Sequence, residues 1–310
     1  MFRTGVSRRG KVAATVALAA VLAVSAGCSS DGEAEESAAP SVDVQVDESV
    51  QALVPTAVRD RGSLRVATMN NYKPYSYTDG SELVGMIPEM ATAVAGVMGL
   101  TADITAIEFP SILTGLQAQR YDIGMGEYFV REDRLEVADF VTEWSNYNAF
   151  VIRQGSEYKP ESIDDVCGRA VAILAGSSGV PAMDAGVAKC AEAGEPAPIV
   201  STFPVMSEAV LALTSQRVDA VLTGREVGIA LVDDGVPVEA SGRVGGGPTA
   251  TAVARSTETE GLPEAIAAAY AKLIEDGTYA SIHEKWKTDY GMIEDPTVYR
   301  MGDVPPTYAS

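Results

Sequence analysis

The sequence predicts an α/β protein with parallel strands, and three observations predict it. Short apolar runs rich in β-branched residues alternate with longer amphipathic stretches, from about residue 60 almost to the end of the 310-residue chain. The first half reads strand, helix, strand, helix, strand, the order of parallel βαβ units. The second half follows the same order, and the roughly 250 residues involved are enough for two modest lobes.

The elements follow in order. Arg61, Gly62 and Ser63 form a turn, and residues 64–68 (LRVAT) the first strand. That strand runs into a polar and aromatic loop at 69–77, and Asp79, Gly80 and Ser81 turn the chain. Residues 85–100 (GMIPEMATAVAGVMGL) are an apolar helix, with Pro88 tolerated in the first turn because its missing N–H has no helical partner there. A strand is expected at 100–107, a short amphipathic helix at 109–119 and a strand at 148–153 (NAFVIR). In the second half the strands fall at 170–174 (AVAIL), from 198, and at 218–223 (VDAVLT). Helices follow them from Gly176, Ser177, Ser178 and Gly179 to about Cys190, at 203–216 and at 225–233. Gly245, Gly246, Gly247 and Pro248 predict a hard break. A strand at 249–255 and helices at 262–275 and 279–286 complete the body. His283 has no nucleophile or ligand partner nearby in sequence and reads as a packing or surface residue.

The ends and the composition bound the function. Arg3, Arg8, Arg9 and Lys11 precede an apolar run at 12–26, the pattern of a cleaved export signal over 1–27. Ser25, Ala26, Gly27 and Cys28 resemble the bacterial lipoprotein processing box, in which the cysteine is lipidated; Ser25 departs from the usual aliphatic residue. Acylation of Cys28 leaves two of the three cysteines, Cys167 and Cys190, as a candidate disulfide in an exported protein. Two cysteines and one histidine make no recognisable metal set, and no cofactor is expected. Residues 28–59 read as a disordered acidic tether. The net charge of −20 and the lack of a basic run outside the signal argue against nucleic acid and against anionic lipid as partners of the body.

Residues 122–140 (DIGMGEYFVREDRLEVADF) concentrate the chemistry. An apolar strand stops at a glycine and opens into a charged turn, the place where open α/β sheets put ligand sites. Taken alone, Arg134 reads as a solvated charge balanced by Glu132, Asp133 and Glu136. The alternative is a carboxylate partner, since a guanidinium donates two parallel hydrogen bonds.

Several stretches together decide between these. LRVAT with YKPYSY, LVGMIPEMATAVAGVMGL, FPSILTGLQAQRYDIGMG with REDRLEVADF, VAILAGSSG, and SEAVLALTSQRVDAVLTG stand in one order and spacing. Over about residues 64–286 the chain resembles the extracellular solute-binding proteins of ABC importers, family 3, which take up polar amino acids. The resemblance implies a two-lobed, periplasmic-binding-protein-like (type II) α/β fold with two crossover strands. Lobe 1 would comprise 60–147 and 252–310, the latter with the C-terminal tail, and lobe 2 would comprise 148–251. It implies that Arg134 binds the ligand carboxylate bidentately and that Ser177 and Ser178, at a helix start, bind the same group. Two departures stand out. Gly224 occupies the position of the aspartate that pairs with an α-ammonium, and Glu127 and Phe129 stand where small hydroxyl residues are usual. Tyr72 and Phe109 match pocket-lining positions, while Tyr75, Tyr77 and Phe140 read as core; Trp144 and Tyr147 are candidates for the hinge side. A carboxylate clamp, aromatic faces and a displaced acid point to a small zwitterion or cation, amino-acid-like or similar to ectoine and betaine.

The expected function is therefore binding without catalysis. A monomeric lipoprotein, held on the outer face of the membrane only by its lipid, would deliver a small solute to an ABC permease and its ATPase. Two alternatives remain: a dehydratase on the same fold, which needs a general acid that no acid–base pair in the sequence marks, and a ligand-sensing receptor lobe.

Overall fold

The computed structural model describes residues 42–308. The export signal over 1–27, Cys28 and the first part of the expected tether lie outside the described residues. Two short helices, α1 (Glu48–Leu53) and α2 (Thr56–Arg61), precede β1 (Ser63–Thr68). A small sheet of β2 (Asn71–Tyr72), β3 (Ser76–Asp79) and β4 (Glu82–Val84) leads to α3 (Met86–Val97). Then come β5 (Thr101–Ala106), α4 (Phe109–Gln117), β6 (Ile123–Phe129), the single turn α5 (Glu132–Leu135) and β7 (Asp139–Arg153). The second half holds β8 (Ala170–Leu174), α6 (Gly179–Ala193), β9 (Ile199–Phe203), α7 (Met206–Thr214), β10 (Ala220–Gly224) and α8 (Arg225–Asp233). The long β11 (Val238–Val253), then α9 (Leu262–Asp276), α10 (Thr278–Trp286) and β12 (Val298–Tyr299), complete the chain.

The main sheet runs in the order β5-β1-β6-β11-β7-β10-β8-β9, with β12 added beside β7. Strands β5, β1 and β6 are parallel, as are β10, β8 and β9. Between the two parallel sets lie β7 and β11, antiparallel to each other and to their outer neighbours. The two long strands are thus the crossovers between two α/β lobes, the architecture that the resemblance implies. Among the described residues, no helix is long and apolar enough to span a membrane.

Three apolar clusters hold the chain. One packs α3, α9 and α10 on the parallel set β5, β1 and β6, and a third packs α6 on the parallel set β10, β8 and β9. The middle cluster reaches from Phe109, Tyr128 and Phe140 to Leu174, Met206 and Val221, so it joins both parallel sets. Fully buried Asp122 fixes the entry to β6. It accepts hydrogen bonds from the Arg65 amide at 2.8 Å and pairs with Arg61 and Arg65 at 2.5 and 2.6 Å.

Three expectations are corrected. The tether predicted to reach residue 59 ends earlier, because Val50, Val54 and Val58 bury themselves in the first cluster with Val42 and Val44 packed beside them. The polar loop at 69–77 contains two strands of the small sheet. The glycine run at 245–247 does not break the chain: β11 passes through it, and the irregularity appears as register shifts between Ser241 and Val244 and between Val244 and Gly247.

Cys167 and Cys190 are bonded, joining the turn before β8 to α6 across a separation of 23 residues. A loop of that length constrains the unfolded chain, so Cys167→Ser or Cys190→Ser is expected to cost about 3 kcal/mol in urea denaturation. A second expectation concerns Glu143 on β7, which is fully buried and accepts from Thr251 at 2.7 Å and from Tyr270 at 3.4 Å. Burial pushes its carboxyl up to about 8. The folded state therefore keeps a proton that the unfolded chain loses near pH 4 to 5, and stability falls as pH rises from there to about 8. Glu143→Gln is expected to remove that slope, on the order of 1.4 kcal/mol per pH unit, in denaturation curves at pH 5 to 8.

Candidate functional site

A cavity lies where the strand ends of the two lobes face each other. All eight residues singled out for ligand contact line it: Tyr72, Phe109, Glu127, Phe129, Arg134, Ser177, Ser178 and Gly224. Tyr72 comes from β2, Phe109 from the first turn of α4, and Glu127 and Phe129 from the end of β6. Ser177 and Ser178 lie between β8 and α6, with Ser178 at the N-cap position, and Gly224 ends β10.

Arg134, on α5, is buried at 3% exposure. Its Nη1 donates to the Phe129 carbonyl and its Nη2 to the Gly176 carbonyl, both at 2.8 Å, so one guanidinium touches both walls. It lies 5.0 Å from the Tyr128 ring centroid. Among the described residues it makes no ion pair; the neighbouring Asp133 is taken by Arg131 at 2.5 Å. Burial, then the charge of Arg131, pulls the guanidinium down to about 10, which leaves it cationic at neutral pH. The reading of Arg134 as a solvated surface charge is thus overturned, since a five-donor fork with two backbone acceptors retains donors for an anion.

Glu127 is the opposite pole. Its backbone sits at φ 55°, in the left-handed region, beside a register shift between β6 and β11. A non-glycine residue held there costs on the order of 1 kcal/mol, and such bulges re-aim side chains. Oε1 accepts from Asn146 Nδ2 at 2.9 Å and from Trp144 Nε1 at 3.1 Å. Burial pushes the carboxyl well above the usual range; Trp144, Tyr75 and Asn146 oppose the shift, and Glu226 adds to it.

Gly224 and Tyr72 explain each other. A Cβ at residue 224 would stand 2.8 Å from the Tyr72 hydroxyl, 3.2 Å from Asn146 Nδ2 and 3.8 Å from Glu127 Oε2. The Tyr72 hydroxyl instead accepts the Gly224 amide at 3.3 Å and lies 3.4 Å from Thr223 Oγ1. The space that a side chain at 224 would need is filled by tyrosine, with a carboxylate oxygen at its edge. Phe109 stacks on Tyr128 at 4.9 Å, fixing the aromatic wall.

Further contacts cross between the lobes around the cavity. Asn71 Nδ2 donates to Ser207 at 3.1 Å, and Lys73 pairs with Asp234 at 2.5 Å. Tyr75 donates across the cleft to buried Glu226 at 3.1 Å, and Arg225 pairs with the same acid within its own lobe at 3.0 Å. Tyr75 and Phe140 are core as expected, although the Tyr75 hydroxyl joins this polar network; Tyr77 is only half-buried and packs against Trp286. Trp144 is buried behind Glu127 rather than on the cavity wall, and Tyr147 faces Arg243 and Tyr290. His283 is fully buried against Trp144 and Tyr279, and burial lowers it to about 4.

Sequence reasoning missed Asn146 and Asn148, which line the cavity from β7, and Met69, Leu174, Met206, Leu222 and Thr223 on its walls. Asn148 donates to Ser178 Oγ at 3.0 Å. Their signal was the period-two spacing of two asparagines within one strand, legible only once β7 is known to begin at Asp139.

Comparison with known proteins identifies the family. The chain is 27% identical over 265 residues to an arginine-binding protein of Corynebacterium glutamicum, covering 80% of this chain and 82% of that one. It is 27% identical over 244 residues to an L-cystine-binding protein of Escherichia coli K12, covering 74% and 84%. The solved structure of an ancestral arginine-binding protein bound to arginine superposes with a TM-score of 0.65 at 30% identity, covering 73% of this chain and 98% of the other. The sequence model of the bacterial extracellular solute-binding proteins, family 3, matches residues 64–289, and the chain belongs to that family.

Proposed function

We propose that this protein captures a small carboxylate-bearing cation or zwitterion in the cleft and delivers it to an ABC permease and its ATPase. The observation that carries the reading is a buried guanidinium and an enclosed carboxyl lining one cavity, neither in an ion pair among the described residues. A solute bearing both charges would supply both missing partners. Arg134 takes the carboxylate, together with Ser177, Ser178 and the free N–H groups of the first turn of α6. Glu127 takes the positive end between Tyr72, Phe109 and Phe129. The relatives named for arginine and cystine make amino acids the first probes, and the displaced acid adds ectoine- and betaine-like zwitterions.

Lobe 1 (60–147 and 252–310) and lobe 2 (148–251) close about β7 and β11, with the carboxylate held from both sides. The role is binding without catalysis. The protein acts as a monomer outside the membrane, held by lipid on Cys28 after removal of 1–27. Mass spectrometry of the membrane-extracted protein is expected to find an acylated N-terminal Cys28.

Thermal-shift screening against amino acids, betaines, ectoines and polyamines, followed by calorimetry, tests the reading. A carboxylate-bearing cation is expected to bind, and Arg134→Ala to weaken it by on the order of 10- to 100-fold. Unchanged affinity in that variant, or turnover of the bound compound, would refute the reading. Glu127→Gln is expected to move stability and function in opposite directions. It removes an acid whose charged form burial disfavours, raising the ligand-free Tm by about 2–4 °C, while it weakens binding of the cation. The raised carboxyl also fixes the sign of the pH effect. A cation binds the ionised form, so affinity tightens as pH rises through the elevated Glu127 pKa and a proton is released on binding. Calorimetry in buffers of different ionisation enthalpy reads that proton directly, and Glu127→Gln should abolish it.

A further inference from the structure

Residues 290–308 lie beyond the stretch that matches the family, yet they return to the cleft. Thr297 and Thr142 exchange two hydrogen bonds, at 2.9 and 2.7 Å, and β12 then pairs with Val141 and Phe140 of β7. A turn closed by Arg300 and Asp303 reverses the chain and brings Tyr308 beside β6.

Tyr308 occupies a gap in the ladder. The β6–β11 pairing stops at Phe129 opposite Thr249, so the next pair would be Val130 with Pro248, and proline has no N–H to offer. The Tyr308 hydroxyl bridges the two strands instead: it accepts the Val130 amide at 2.6 Å and donates to the Pro248 carbonyl at 3.0 Å. Gly247 leaves room for the ring, since a Cβ there would come within 2.9 Å of it. The ring packs edge-on against Phe129, with centroids 4.7 Å apart. Phe129 faces the solute cavity, and its carbonyl receives Arg134 Nη1. Phe129 also lines, with Tyr308, the cavity next door.

We propose that Tyr308 is a positioning residue of the solute site. The C-terminal segment finishes the end of β6, holding Phe129 against the cavity and, through the Phe129 carbonyl, aiming the Arg134 guanidinium. Tyr308 itself touches no solute. The inference rests on the reading of Arg134 and Phe129 as solute contacts, but its first readout needs no solute.

The test is NMR on the full chain with Tyr308→Phe, which keeps the ring and loses the bridge, and with Tyr308→Ala. Tyr308→Phe is expected to speed exchange of the Val130 amide about tenfold, the loss of one hydrogen bond. Both variants are expected to shift and broaden the Arg134 guanidinium N–H signals, Tyr308→Ala the more, while amides of β8, β9 and β10 stay in place. Arg134 signals that match the parent chain in both variants overturn the proposal; where Tyr308→Ala does not fold, Tyr308→Phe decides by the same signals. Titration with L-arginine gives the second readout, an expected affinity loss of about tenfold in Tyr308→Ala. Arg134→Ala serves as the reference. If it binds L-arginine like the parent chain, the carboxylate reading falls, and the Arg134 signals still decide the role of Tyr308.

Discussion

The cleft holds a buried guanidinium and an acid whose charged form burial disfavours, and among the described residues neither is in an ion pair. That constraint organises its surroundings. A buried guanidinium needs acceptors, and the chain supplies two backbone carbonyls, Phe129 and Gly176, from opposite walls. A half-buried carboxyl also needs partners, and Asn146 and Trp144 converge on one oxygen of Glu127. These contacts reduce the desolvation cost but do not cancel it, as the displaced titration of both groups shows. The residual cost is what a ligand with complementary charges removes, so affinity and ligand-free instability have one source.

Strand β7 connects this site to the rest of the molecule. Its alternate residues Trp144, Asn146 and Asn148 share one face by the period of the strand, so a single element carries core packing, the donors to Glu127 and the contact to Ser178. Asn146 also donates to Tyr75, which in turn donates to Glu226 of α8 in the other lobe. A shift of one lobe against the other therefore cannot leave the Glu127 donors undisturbed. Interfaces of this kind move between discrete arrangements rather than by continuous deformation, which suits a protein that must hold and then release a solute.

Much of this was legible in the sequence because it depends on local pattern. Helices with periodic apolar spacing, such as α3 and α8, fall within a few residues of their expected bounds. The resemblance, read from local motifs, implied Ser177, Gly224 and Glu127 at the site, and all three line the cavity. What was hidden depends on partners distant in sequence. The first half of β7 mixes polar and apolar residues because β11 and β12 cover it from two sides, and neither partner is visible locally. The valines at 42–58 look like a tether because their acidic neighbours dominate the composition, although Val50, Val54 and Val58 recur at a four-residue spacing. Glycines 245–247 read as a break because composition cannot distinguish a loop from a strand that bulges.

The departure at Gly224 is the point where sequence and structure inform each other most. Read alone, a glycine in place of an acid says only that a counter-charge is missing. The geometry makes three positions interdependent: the Tyr72 hydroxyl fills the space of a side chain at 224, glycine is the residue that admits it, and a Glu127 oxygen stands beside that space. An acid does line the cavity, from the other wall. An acid on β10 would belong to lobe 2, whereas Glu127 shares β6 and its following turn with Arg134. Under the proposed reading, lobe 1 would carry both poles of the solute, and lobe 2 would contribute the helix terminus and the carbonyl of Gly176. In such a division, initial capture needs one lobe, and closure adds neutral dipoles rather than a second charge.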